Sequence, residues 1–498
     1  MKRLVLLALS FFFTVSLAIA DDAVRTGCRR GRQDAQLVAK KRVRKMSTSL
    51  DSMQYRGTRH QLVVLASFAD KRFQQEDPTD FWNQLLNEGH FNSDSPYQGS
   101  LADYFNAQSY GRFEIVSDII YVQLDSLGSR YESTRLDDEN SQFLVYDIMD
   151  KLKSQDIDWE LYDWNGNGEM NQLLIIFPGL GMNDGGGTGT IWAHQWWLSE
   201  HFNPSTHEKC QPCKVTDNQG KSYIIDCYCA IPEQGKQGSS FGTLCHEFSH
   251  CFGLPDFYYG STSYIGSWDL MDRGNYNANG YVPCNYSAQE RMFMGWLQPV
   301  ELTQKTAVSG MACLSDAPEA YLIRNDGCES EYYLLENRQQ EGWDKAIPGS
   351  GLLIFHINFD INEWISVNQS PNHSGYYRDG VSYPSQKHYY IIPANNLQYD
   401  RADWAYPYGD NNQLTSSSSP ADTLFNANID GTLHMNKPVT NIAVEDGKIS
   451  FDFMDSDVST VKSAVVSSEC TLLYEFGNIC IVRCPDGSTR KVLREVRH

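Results

Sequence analysis

Beyond its first 20 residues the sequence has no apolar run long enough to cross a bilayer, which takes about 20 such residues, so no integral membrane segment is expected. Positive charge is also short. Lys and Arg number 41 against 62 Asp and Glu, for a net charge of −21. The deficit is uneven: Lys2 and Arg3 contribute +2 and residues 21–50 contribute +6, which leaves −29 on residues 51–498. A body this acidic repels phosphate, which excludes nucleic acid as a partner. Histidine is scarce, with 12 in 498 residues, and no internal repeat is present.

What is present describes an ordered globular protein, with 12 % aromatic and 41 % hydrophobic residues. A chain of this length exceeds one compact core and predicts two or three domains. Lys2-Arg3, the apolar stretch Leu4–Leu17 and the small-residue exit Ala18-Ile19-Ala20 have the form of a signal peptide over residues 1–20. The expected location is therefore secreted or extracellular, with cell-surface association as a variant of it. Residues 21–56 are basic and poor in large apolar groups, as in a zymogen's pro-segment with trypsin-like cleavage sites; a basic arm is the alternative. Thirteen cysteines in an exported chain predict disulfides, and the odd number leaves at least one thiol over, Cys28 being the candidate.

From Leu62 onward strands and helices alternate. Leu62–Leu65, Phe113–Tyr121 and Leu173–Phe177 read as strands, and Phe81–Leu86, Leu101–Phe105 and Gln142–Lys153 as helices. After about residue 300 the runs become short and β-rich, as in Tyr332–Leu335, Leu352–Ile357, Tyr389–Ile392 and Ile449–Phe453. The expected architecture is an α/β (α+β) catalytic domain over 57–300, a mostly β domain over 301–455, and a small C-terminal β module over 456–498.

The chemistry concentrates in Phe241–Phe257. His246 and His250 are four apart, so on a helix they leave one face a single turn apart, a spacing that lets both imidazoles ligate one Zn²⁺. Glu247 then stands beside the metal as general base for an attacking water. Gly253 can end the helix in a left-handed conformation, and the returning chain offers Asp256 as third ligand. Three protein ligands leave a fourth position open, as catalytic zinc requires. Two satisfied core histidines with Asp256 capping a turn is the bland alternative, and Gly and Asp at +7 and +10 from His246 argue against it. About twenty residues on, Gly266–Gly274 places Met271 in a tight turn, like the Met-turn that floors the zinc site of metzincins.

With Leu254–Tyr258 and Trp268–Met271 added, the motif resembles the immune inhibitor A family of secreted, metzincin-like zinc metallopeptidases. The similarity runs over roughly 60–455, through Gly99–Tyr104, Ser109–Gly111, Ile191–His194, Ser287–Leu297, Tyr333–Arg338 and Pro348–Ile354. The resemblance implies a single-zinc endopeptidase acting on proteins or peptides, with His246, His250 and Asp256 as ligands and Glu247 as base. The short pro-region departs from the family pattern and leaves the mode of latency open. A Tyr often helps hold the oxyanion in metzincins, and Tyr276 is near enough in sequence to be the candidate.

Asp163, Asn165, Asn167, Glu169 and Asn171 copy the oxygen positions of a calcium loop, with Gly168 at its turn, but position 12 is Leu174 and no bidentate Glu follows. A structural Ca²⁺ is expected there, against an Asx-rich turn. Cys210, Cys213, Cys227 and Cys229 have knuckle-like spacing, with disulfides as the default. Gly477–Val492 weakly resembles sorting domains that engage type IX secretion machinery, against a plain β module. Two other function classes compete with the endopeptidase: a catalytically weak, surface-binding or adhesin-like relative, and a zinc hydrolase of another amide.

Overall fold

A computed structural model describes residues 55–455, apart from 89–94, 133–139, 237, 361–363, 365–369, 373–375, 379–380, 384–386 and 399–400, and the backbone of three strands between 471 and 493. The expected signal peptide, nearly all of the basic pro-segment, Cys28 and Cys470 lie outside the described residues. Among the described residues no helix is long and apolar enough to cross a membrane.

The first half is built on one mixed sheet. In chain order its neighbourhood contains β1 (Gly57–Ser67), α1 (Pro78–Asn87), α2 (Leu101–Gln108), β2 (Phe113–Gln123), α3 (Ser141–Leu152), β3 (Leu173–Leu180), β4 (His194–Trp197), the hairpin β5 (Cys213–Thr216) and β6 (Ser222–Ile225), and β7 (Cys227–Gln234). The sheet order is β2-β1-β3-β7-β4, parallel except for β4, which runs antiparallel to β7 at the edge. Parallel strands are covered on both faces, and the burial shows it. Leu62, Val64, Leu173, Ile175 and Ala230 face one core, with Ile148 and Leu152 of α3. Val63, Leu65, Leu174, Ile176 and Ile231 face the other, with Leu244 and Phe248. The helix starts are locally encoded. Asp77 caps α1 with Pro78 in its first turn, and Ser100 and Asp103 form a reciprocal capping box on α2.

The helix that carries the histidines is α4 (Phe241–His250), every residue of it buried. After the short hairpin β8 (Tyr258–Tyr259) and β9 (Thr262–Ser263) and the short helix α5 (Ala288–Phe293), the texture becomes β. The strands are β10 (Val300–Glu301), β11 (Thr306–Met311), β12 (Tyr321–Asn325), β13 (Cys328–Arg338), β14 (Gly351–Asn358), β15 (Tyr376–Arg378), β16 (Val381–Tyr383), β17 (Tyr389–Ile391), β18 (Val439–Glu445) and β19 (Lys448–Phe453). A five-stranded sheet runs β10-β12-β13-β14-β17 and a three-stranded sheet β11-β19-β18. Alternation along the strands splits their side chains. Tyr333, Leu335, Leu352 and Ile354 face the three-stranded sheet, whose Ile449, Phe451 and Phe453 complete that core. Leu334, Leu353, Phe355, Tyr389 and Ile391 face back into the core that contains α4. One apolar core therefore joins the helix of the histidines to the second sheet. Near the C-terminus β20 (Thr471–Phe476), β21 (Ile479–Arg483) and β22 (Thr489–Leu493) form an antiparallel sheet of their own.

Among the described residues no disulfide is formed, which corrects the expectation of disulfides for this part of the chain. The knuckle reading finds no support either: Cys227 and Cys229 pack into different cores, and among the described residues no cysteine belongs to a cluster suited to a metal.

Candidate metal centre

The local geometry of α4 follows from its residues. Gly242 lies so close to the segment 274–280 that a Cβ there would sit 1.8 Å from the Asn275 carbonyl oxygen, so the helix can pack where it does only with glycine. Just beyond the helix, Gly253 takes φ +92° and turns the chain back. That turn brings Asp256 over the histidines. Its Oδ1 lies 3.1 Å from His246 Nε2 and 3.4 Å from His250 Nε2.

The other nitrogen of each ring is already committed. His246 Nδ1 is 2.8 Å from the Leu270 carbonyl oxygen and His250 Nδ1 is 2.8 Å from that of Leu254. A carbonyl only accepts, so both Nδ1 atoms carry the proton and each neutral ring presents an Nε2 lone pair. Two lone pairs and a carboxylate oxygen that otherwise has no hydrogen-bond partner thus converge on one buried point. Three acceptors facing each other need a cation between them, and the donor set of two imidazoles and a carboxylate suits zinc. The carbonyls of Leu270 and Leu254 fix the ring orientations as such a site requires.

Glu247 is beside the same point, since its carboxylate and the two imidazoles offer atoms all within 4.8 Å of one another. Two carboxylates therefore compete for the third place. Glu247 Oε2 is 3.9 Å from His250 Nε2 and accepts the Gln195 backbone N–H at 3.0 Å, whereas Asp256 Oδ1 is closer to both rings and has no other partner. Asp256 Oδ1 is thus the carboxylate oxygen that stands nearest the two ring nitrogens, with Glu247 tied to the Gln195 N–H beside them. Burial raises the Glu247 pKa to about 8, although the His246 ring opposes it. Asp256 goes the other way: burial would raise it, but positive charge at the His250 and His246 rings, with the hydrogen bonds those rings give when protonated in place of a cation, brings it down to about 2. Adjacent carboxyls pushed apart in this way suit different roles.

Met271 is fully buried in a tight turn. Its N–H donates to Asp269 Oδ1 at 2.8 Å, and its carbonyl accepts the Phe257 N–H at 2.9 Å, tying the turn to the residue after Asp256. Tyr276 lies on the irregular segment 274–280, 42 % exposed. Burial of its hydroxyl end raises the pKa, the Asp184 charge adds to this, and Asn183 and Asn275 are its hydrogen-bonding neighbours. Asp184 and Gln195 belong to the same surroundings and carry no sequence signal of their own.

The expected calcium residues form something plainer. Asp163 accepts the N–H groups of Asn167 and Gly168 at 3.0 and 2.8 Å, Asn165 that of Asn167, Asn167 that of Glu169, and Asn171 that of Trp164. The oxygens are turned onto the loop's own backbone, as in an Asx-rich turn, and nothing in the loop supports calcium. Among the described residues the cluster of His, Cys, Asp or Glu suited to a metal is that of His246, Glu247 and His250.

Residues 54–297 match the family model described as the immune inhibitor A peptidase M6, catalytic domain. No curated protein matches the chain.

Proposed function

We propose a secreted zinc endopeptidase, starting from the family itself: residues 54–297 belong to the immune inhibitor A peptidases, a metallopeptidase family, so the substrates are proteins or peptides. The observation that carries the zinc reading is the convergence of His246 Nε2, His250 Nε2 and Asp256 Oδ1, with both Nδ1 protons already given to carbonyls. In this reading those three residues hold the ion and Met271 floors the site. When bound, zinc lowers the pKa of a water and polarises the scissile carbonyl. Glu247, held by the Gln195 N–H, accepts the proton of the attacking water and returns it to the leaving amine. Tyr276 is the residue that would donate to the developing oxyanion.

Export is part of the proposal and rests on the N-terminal residues 1–20, with 21–56 as pro-segment, 57–300 as catalytic domain, 301–455 as β-rich domain and 456–498 as a terminal module for sorting. The test is fragment release from casein by the mature chain. Chelation should abolish it, and added Zn²⁺ should restore it. Casein cleavage by Glu247→Ala at the wild-type rate would remove the base mechanism.

A further inference from the structure

Tyr389 opens β17, 120 residues from Asp269, and its hydroxyl donates to Asp269 Oδ2 at 2.9 Å, while Ser287 Oγ lies 2.7 Å from that tyrosine hydroxyl. All three groups are buried. From Asp269 the contacts lead straight to the metal centre. Its other carboxylate oxygen takes the Met271 N–H at 2.8 Å and its carbonyl takes the Gly274 N–H at 2.8 Å, so this one residue closes the turn from both ends. Between Asp269 and Met271 sits Leu270, whose carbonyl holds His246 Nδ1.

The same tyrosine reaches the third ligand by a second route. Its ring centroid lies 4.1 Å from that of Phe257, the neighbour of Asp256, and 5.1 Å from that of Phe355 on β14. Asn372 fastens this contact. Its amide donates to the Tyr389 carbonyl at 2.6 Å and to the Phe257 carbonyl at 3.5 Å, while its oxygen accepts the N–H groups of His388 and Tyr389 at 2.8 and 2.9 Å.

We infer that Tyr389 is a positioning residue for the metal centre, by which the second sheet sets the Met-turn and through it the orientation of His246, and bears through Phe257 on Asp256. The inference rests on the zinc reading above. It means that the matched stretch 54–297 ends before the centre's support does, and that β17 is part of the peptidase in function.

The full chain with Tyr389→Phe tests it, since the substitution keeps the ring contacts and removes only the hydroxyl. The control is Tyr333→Phe, which deletes a buried hydroxyl bonded to the Thr423 carbonyl on the opposite face of the same sheet. The readout is the rate at which bound zinc passes to excess chromogenic chelator, beside the melting temperature of the metal-free protein. Loss of a group that orients a ligand's partner should speed zinc release about tenfold, with Tyr333→Phe at the wild-type rate although both variants melt lower. If Tyr389→Phe is insoluble, Asp269→Asn takes the same measurement from the other side of the bond, with the same expectation. Equal release from wild type, Tyr389→Phe and Tyr333→Phe overturns the inference. A wild-type protein that holds no zinc overturns the reading beneath it and the inference together.

Discussion

The segment 241–271 and the sheet β10-β12-β13-β14-β17 meet in one core and contribute to the centre in opposite ways. The first brings chemistry. It supplies His246, Glu247, His250 and Asp256 within eleven residues, each a polar group in a buried place. The second contributes no residue to the metal-suited cluster found among the described residues. It supplies rigidity through buried polar contacts that cross to the first. Arg338 at the end of β13 makes a two-pronged pair with Asp344, at 2.6 and 2.7 Å, and reaches Glu336 at 3.0 Å and the Asn285 carbonyl at 3.3 Å. Glu336 in turn accepts the Ala288 N–H at 2.6 Å, and Asp344 the Asn285 N–H at 2.9 Å. The sheet thus grips the chain at Asn285 and Ala288, shortly after the turn that holds Met271. A site can be recognisable from one region and still owe its geometry to another.

The largest effect that separates the two should come from Glu247→Ala. Removing a general base typically costs about 10²–10⁴-fold in rate, and here peptide hydrolysis should fall by that order while the melting temperature stays near wild type, because the residue is there for chemistry. Arg338→Met probes the other region. It strands Asp344 and Glu336 in a dry core, which should cost about 3–5 kcal/mol, seen as a lower urea midpoint. The loss should be cooperative with that of the catalytic region. If the second sheet unfolds in its own transition while casein cleavage persists, the shared core has been given too much weight.

Acid should act on the second sheet next. Burial lowers the pKa of His356 from its usual 6.5, with Glu331 opposing, while Glu331 is held down at about 2 by His356 and two backbone N–H groups, against the effect of its burial. Both shifts mean that the unfolded chain binds protons the folded chain refuses. Stability is complete above pH 6.5, begins to fall as the unfolded histidine protonates, and falls further between pH 4.5 and 2, by at most about 3 kcal/mol for Glu331. Urea midpoints at pH 7, 5 and 3.5 should fall in that order in wild type, and less steeply in His356→Phe. The smallest effect is expected at the Asp163 loop. Millimolar calcium or its removal by EGTA should shift the melting temperature by less than about 1 °C, since a ligand bound only by the folded state would raise it.

The parts legible in the sequence are the local ones. Capping signals at Asp77 and Ser100, the helical spacing of Phe143, Val145, Ile148 and Leu152, and the apolar runs of β1 and β3 place elements where the structure has them. The motif from His246 to Asp256 is legible for the same reason, because a helix turn and a glycine suffice to bring its atoms together. The edge strand β4 is four residues long, all of them buried, and offers no alternation to read, so the Gln195 N–H that holds Glu247 has no signature. Tyr389 and Arg338 act across long sequence separations, and nothing in their local patterns distinguishes them from ordinary core residues. The cysteines teach a related lesson: Cys227 and Cys229 are two apart on one strand and by alternation should share a face, yet Cys227, the first residue of β7, joins the core of its neighbour Tyr228 while Cys229 enters the other.

The central claim is that two imidazoles and Asp256, with Glu247 held apart, make a zinc site. Metal content by inductively coupled plasma mass spectrometry, on purified wild type, Glu247→Ala and Asp256→Ala after equal exposure to Zn²⁺ and gel filtration, tests it most directly. The account predicts one zinc per chain in wild type and Glu247→Ala, and a large loss in Asp256→Ala. Zinc retained by Asp256→Ala but lost from Glu247→Ala would contradict it.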